Sequence, residues 1–287
     1  MSPPANPPVN GVAGAVNPAQ SIGAAIRRAS AEGEPALVAF LTAGYPSRDH
    51  FREHLLSVAR GADVVEIGVP FTDPMADGVT VQRSSQAALA QGVSLRWILK
   101  ELESLRAGAG STGATPAGTA AAAQITVPLL LMSYLNPLLA FGYQALAEAA
   151  TRAGVAGFIV PDLPFDESAD LRSFLDARNI ALVQMVTPVT PPQRLKMLCG
   201  QAQGFVYAVT MTGTTGKNVS VPAEVTRYLD SVRSLSPVPV CAGFGIRSRD
   251  QVQRLKGHVD GVVIGSALVE VLERGEDPAK WLQTLRK

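Results

Sequence analysis

The chain has 287 residues, 47% hydrophobic and 17% charged, with a net charge of +1. That composition suits a large buried core, and no basic run or basic–aromatic interleaving points to nucleic acid. Two cysteines far apart, Cys199 and Cys241, form neither a disulfide framework nor a zinc spacing and read as reduced core thiols, and no apolar stretch reaches the roughly 18 residues of a membrane span.

Residues 1–20, rich in Pro, Ala and Asn, predict a flexible, disordered N-terminal tail. They lack the charged and apolar regions of a secretory signal, so the expected location is cytoplasmic. From there a pattern repeats: a short apolar run ends in Gly, Pro, Asp or Thr, and a helical stretch follows. The runs are ALVAFLTAG (36–44), ADVVEIGVP (62–70), VPLLLMSYL (127–135), GFIVPDLP (157–164), ALVQMVTP (181–188), GFVYAVT (204–210), PVPVCAGFG (237–245) and GVVIGSAL (261–268). Continuous apolar runs of this length suit parallel strands buried on both faces. The stretches Asp49–Arg60, Tyr143–Ala153, Glu167–Ala177 and Arg249–Lys256 are amphipathic and predict helices. AGAGSTGATPAGTAAAA (107–123) stands apart as a low-complexity insertion.

Eight strand–helix units predict an α/β fold, a single (β/α)8 TIM barrel over residues 21–287 as one catalytic domain. A doubly wound sheet would carry a GxGxxG turn after the first strand, where this chain reads TAGYPS. In a barrel the chemistry lies at the C-terminal strand ends.

Glu66 sits inside the second run. A carboxylate in an apolar strand is costly unless it is paired, hydrogen-bonded or protonated, and burial raises its pKa toward that of a general acid–base. A structural carboxylate satisfied by backbone donors is the other reading. The following PFTDPMADG loop holds Asp73 and Asp77, which are either site carboxylates or ordinary turn residues. TMTGTTGKNVS after the sixth run has the composition of a lid or of a plain surface loop. GFGIRS after the seventh run and GSAL after the eighth permit close backbone approach to an anion. No lysine lies in the runs, so a strand-borne Schiff base is not expected. His50 and His54 are spaced i, i+4 without a third ligand and read as a solvated helix face, so no metal is expected.

LTAGYPS, DVVEIGVPFTDPMADGVTVQ, LLMSYLNPLLAFG, FIVPDLPFDES, TGTTG, GFGI and IGSALV occur together and in order. From about Ala36 to the C-terminal helix the chain resembles the tryptophan synthase alpha subunit family. The resemblance implies a lyase for the retro-aldol cleavage of indole-3-glycerol phosphate to indole and glyceraldehyde 3-phosphate. It implies Glu66 as the acid–base at indole C3 and the glycerol hydroxyl, and Asp77 as the acceptor of the indole N–H. Phe40, Leu131, Tyr207 and Phe244 would form or support the indole pocket. Gly216, Gly245, Gly265 and Ser266 would hold the phosphate, and Thr215 would position Asp77. Asp73, Asn136 and Pro164 would face a beta subunit, within an alpha2beta2 heterotetramer, that carries pyridoxal phosphate. This chain would carry no cofactor. A stand-alone lyase without a beta partner is the alternative. Met211 and Thr212 ahead of Gly213, and Thr72 in PFTDP, depart from the family's usual residues.

Overall fold

The structure, a computed structural model, describes residues 17–109, 124–210, 222–243 and 245–286. Among them nine parallel strands form one sheet: β1 (Ala36–Thr42), β2 (Val64–Gly68), β3 (Leu129–Met132), β4 (Val155–Ile159), β5 (Ala181–Leu182), β6 (Gln184–Val186), β7 (Val206–Val209), β8 (Val240–Gly243) and β9 (Gly261–Ile264). The helices are α1 (Pro18–Ala31), α2 (Phe51–Gly61), α3 (Val79–Ala90), α4 (Leu95–Ala109), α5 (Leu135–Phe141), α6 (Tyr143–Ala153), α7 (Ala169–Asp176), α8 (Pro192–Gly200), α9 (Ala223–Leu235), α10 (Arg249–Leu255), α11 (Ser266–Glu273) and α12 (Pro278–Thr284). The four helices expected from amphipathic spacing are α2, α6, α7 and α10.

The strand order is β5-β4-β3-β2-β1-β9-β8-β7-β6. Only Val183 separates β5 from β6, so the two edges of the sheet are halves of the fifth predicted run. The first half pairs with β4 and the second with β7. The ring thus closes through the chain itself, and the eight predicted runs make an eight-membered barrel.

Every residue of β1 and β2 is buried, as parallel strands between two layers require. Alternation sends Leu37, Ala39 and Leu41 outward to the helices and Ala36 and Val38 inward, where they meet Val64, Leu130, Phe205 and Cys241. Both cysteines are buried and unpaired with each other.

Helix α1 plugs the N-terminal mouth with Ile22 and Ile26, both fully buried among the inward side chains. Its start corrects the tail boundary drawn at residue 20. Asn17 caps the helix by accepting from the Ala19 N–H, and Pro18 opens the first turn. Helix α4 likewise runs through residues 107–109 of the predicted insertion, because alanine sustains a helix. The remainder of the predicted tail, 1–16, and of the insertion, 110–123, lies outside the described residues. His50 and His54 lie 6.1 Å apart at the start of α2, yet His54 is half-buried rather than solvated, with Nδ1 unpartnered. No group of three metal-ligating side chains occurs among the described residues. No described helix is long and apolar enough to cross a membrane.

Candidate active site

A cavity of about 210 Å³ opens at the C-terminal mouth of the barrel, and Glu66 and Asp77 both line it. A larger cavity, about 410 Å³, lies toward the N-terminal strand ends beside α4 and α6. Among the described residues no carboxylate or imidazole lines it.

Glu66 is central in β2, in register with Phe40 of β1 and Leu130 of β3. It is 1% exposed, and its Oε2 has no hydrogen-bond partner among the described residues. The backbone-satisfied reading therefore fails for that oxygen. Burial, reinforced by the charge of Asp77, pushes the carboxyl up to about 8. At neutral pH Glu66 holds a proton it can give away.

Asp77 sits in the loop from β2 to α3. Its N–H donates to Pro74 O at 3.1 Å, so it does close a turn. The same turn aims its carboxylate into the cavity. Tyr134 holds it there: the phenol donates to Asp77 Oδ2 at 3.1 Å and accepts from the Ala76 N–H at 2.9 Å. Gln82 Nε2 donates to Asp77 O at 2.9 Å, and Phe71 stacks on Tyr134 with ring centroids 5.2 Å apart. Burial pushes Asp77 up to about 6, against the opposing hydrogen bond from Tyr134. It is mainly ionised where Glu66 is mainly protonated. Two carboxyls with separated titrations are the usual mark of divided acid and base roles.

The cavity walls depend on missing side chains. A Cβ on Gly68 would stand 2.5 Å from Phe40 Cζ, and one on Gly243 would stand 2.7 Å from Tyr207 Cε1. Each aromatic ring therefore lies across a glycine of the neighbouring strand, and both rings wall the slot that the two carboxyls line. Tyr207 titrates well above the usual phenol range because it is buried and near Glu66, so it stays neutral.

The far end of the slot is polar backbone. Gly245 has φ +65°, a conformation open to glycine, and Gly265 directly precedes α11, whose first residue is Ser266. All three line the cavity. Free N–H groups at a helix start favour an anion.

Of the residues expected at the site, Glu66, Asp77, Phe40, Tyr207, Gly245, Gly265 and Ser266 converge on this cavity. Leu131 does not. It points outward into the layer between strands and helices, and the pocket wall on β3 is its neighbour Met132. Thr215, Gly216 and Phe244 lie outside the described residues. Asp73 and Pro164, in the loops after β2 and β4, and Asn136, in the first turn of α5, are exposed and do not line the cavity. Tyr134, Gln82 and Met185 went unread in the sequence. The signal for Tyr134 was present, a tyrosine closing the third run beside the loop after the second.

This combination defines a (β/α)8-barrel enzyme with two carboxyls of separated titration in one cavity at the C-terminal mouth, one within a strand and one in the loop after it. The family model described as tryptophan synthase alpha chain matches residues 26–286. A tryptophan synthase alpha chain from Nitratidesulfovibrio vulgaris strain Hildenborough is 43% identical over 259 residues, 90% of this chain and 95% of that one. Among solved structures, tryptophan synthase subunit alpha from Legionella pneumophila aligns with a TM-score of 0.77 at 27% identity, covering 95% of this chain and 98% of that one. Tryptophan synthase from M. tuberculosis in its open form aligns at 0.77 and 29%, covering 92% and 95%. The chain belongs to the tryptophan synthase alpha chain family. It is a lyase that cleaves indole-3-glycerol phosphate, and its family's reaction uses no cofactor in this chain.

Proposed function

We propose that Glu66 and Asp77 divide the retro-aldol cleavage between them. The observation that carries this is the meeting of the two carboxyls in one cavity, where burial pushes Glu66 higher than Asp77. Indole-3-glycerol phosphate would lie with its ring between Phe40 and Tyr207 and its phosphate at Gly245, Gly265 and Ser266. Protonated Glu66 delivers its proton to indole C3, giving a cationic indolenine. Ionised Asp77 accepts the ring N–H and stabilises that cation. The Glu66 carboxylate then takes the proton of the side-chain hydroxyl as a carbonyl forms there. The C–C bond breaks and its electrons return to the ring. Indole and glyceraldehyde 3-phosphate leave, and Glu66 is again protonated. A positioned acid–base of this kind contributes about 10²–10⁴-fold.

Asp73, Asn136 and Pro164 are proposed to face the beta subunit, which carries pyridoxal phosphate, in an alpha2beta2 assembly in the cytoplasm. Supporting this, Met75 is 87% exposed and Val79 81%, both near Asp73, and Leu139, in the same helix as Asn136, is 51% exposed. Exposed apolar side chains gathered on one mouth mark a contact surface.

Cleavage of indole-3-glycerol phosphate by the purified chain, with and without a beta chain, tests the whole reading. Turnover should rise markedly with the partner. Glu66→Gln should abolish cleavage in a folded protein, and substantial residual turnover there would refute the proton path. Equal turnover alone and in the mixture would make the chain a stand-alone lyase.

A further inference from the structure

Arg247 lies two residues beyond Gly245, in the loop from β8 to α10. Its guanidinium grips the carboxylate of Glu270 with both arms: Nη1 donates to Oε2 at 2.7 Å and Nη2 to Oε1 at 2.9 Å. Glu270 belongs to α11, four residues beyond Ser266, on the same helix face as the residue that opens the proposed phosphate site. The same Oε1 accepts from Thr80 Oγ1 at 3.4 Å. Thr80 is in the first turn of α3, three residues after Asp77. The loop is also pinned by its main chain, because the N–H groups of Arg247 and Ser248 donate to Gln251 Oε1 at 2.7 and 3.1 Å.

One carboxylate thus joins three segments: the loop after β8, the helix after β9 and the helix after the Asp77 turn. The pair is half exposed on the arginine side and about a quarter exposed on the glutamate side, so its contribution to stability alone is small. Its geometric contribution is larger, because a two-armed contact fixes both distance and angle. Arg247 holds Glu270 below the usual carboxylate range, and Glu270 raises Arg247 in return. The arginine charge is matched inside the protein rather than offered to a ligand.

We propose that Glu270 is a positioning residue: through Arg247 and Thr80 it sets the loop of Gly245 and the segment of Asp77 against the first turn of α11, so that phosphate and ring are held in register with the two carboxylates. This rests on the phosphate site proposed above. The ion pair between Arg83 and Glu273 supplies an internal control, since it joins α3 to α11 without reaching the loop after β8.

The experiment uses the full chain with a beta chain present. It compares wild type with Glu270→Gln, Arg247→Gln, the two combined, Glu273→Gln and the exchanged pair Arg247→Glu with Glu270→Arg. Two quantities are read: affinity for inorganic phosphate, and KM against kcat for cleavage. Glu270→Gln and Arg247→Gln should each weaken phosphate binding and raise KM about tenfold, as a displaced binding group does. Their combination should be far less than additive, and the exchanged pair should recover most of the loss. Glu273→Gln should leave both quantities near wild type. Phosphate affinity and KM unchanged in Arg247→Gln, an exposed loop substitution that spares the core, would overturn the proposal. Losses no larger than in Glu273→Gln would overturn it too. A wild-type chain that does not bind phosphate would instead overturn the phosphate site, and this proposal with it.

Discussion

At the scale of single residues, the proposed division of roles turns on where Glu66 and Asp77 hold their protons. Glu66 is useful as an acid only below about 8, and Asp77 is useful as an anion only above about 6. Turnover against pH should therefore form a bell with limbs near those two values. Asp77→Asn should cut turnover by about 10²-fold or more and remove the acid limb, because the remaining amide no longer titrates. An acid limb that survives in Asp77→Asn would assign that limb to another group. Tyr134 tunes the same limb, since its hydrogen bond opposes the upward push of burial on Asp77. Tyr134→Phe should shift the acid limb upward while leaving the basic limb in place, a displacement that a steady-state pH profile resolves.

At the scale of elements, the slot is made by strands that interlock through absences. Gly68 sits in β2 opposite Thr42, and its missing side chain is the space that the Phe40 ring occupies. Gly68→Ala should push the ring off its site, at a cost of about 1–3 kcal/mol as for other overpacked cores. The loss in kcat/KM should exceed the loss in stability, and pairing the change with Phe40→Leu should recover part of the stability. A stable Gly68→Ala enzyme with full kcat/KM would disprove the packing account. The same geometry explains what the sequence could and could not convey. Glu66 was legible because a charge inside VVEIG breaks an apolar run. The phase of LLLM was not: with every position apolar, alternation has no polar partner to set it, so nothing local separates outward-facing Leu131, which the family resemblance implies for the pocket, from Met132, which lines it. The break at Val183 was equally hidden, because ALVQMV reads as one strand while its halves pair with different neighbours. Tyr134 reaches Asp77 across 57 residues, so its place near the end of the third run marks it only as a candidate, and Gln82, five residues from Asp77, is one of several polar side chains in α3. Where the fold repeats, in strand count and helix spacing, local pattern sufficed. Where the site is assembled, the contacts are long-range, and family resemblance rather than periodicity supplied the roles of Asp77 and the phosphate loops.

At the scale of the whole molecule, Glu66 makes stability and catalysis oppose each other. Its ordinary value is near 4.5 and burial lifts it to about 8 in the folded chain. Between these two values the unfolded chain has released the proton and the folded chain still holds it, so the folded state binds more protons. Stability must then fall as pH rises across that window, and below it the group is neutral in both states and costs little. The full difference is on the order of 5 kcal/mol. Glu66→Gln removes the titration while keeping the shape. Its amide brings a burial cost of its own, but that cost does not change with pH, so the comparison between two pH values isolates the carboxyl. The difference in Tm between Glu66→Gln and wild type should therefore move in favour of the variant by about 5–10 °C from pH 5 to pH 8. Thermal unfolding at the two pH values measures this directly. A difference that stays constant would mean that Glu66 ionises freely in the folded barrel, and the proton that the cleavage requires at neutral pH would have to come from elsewhere.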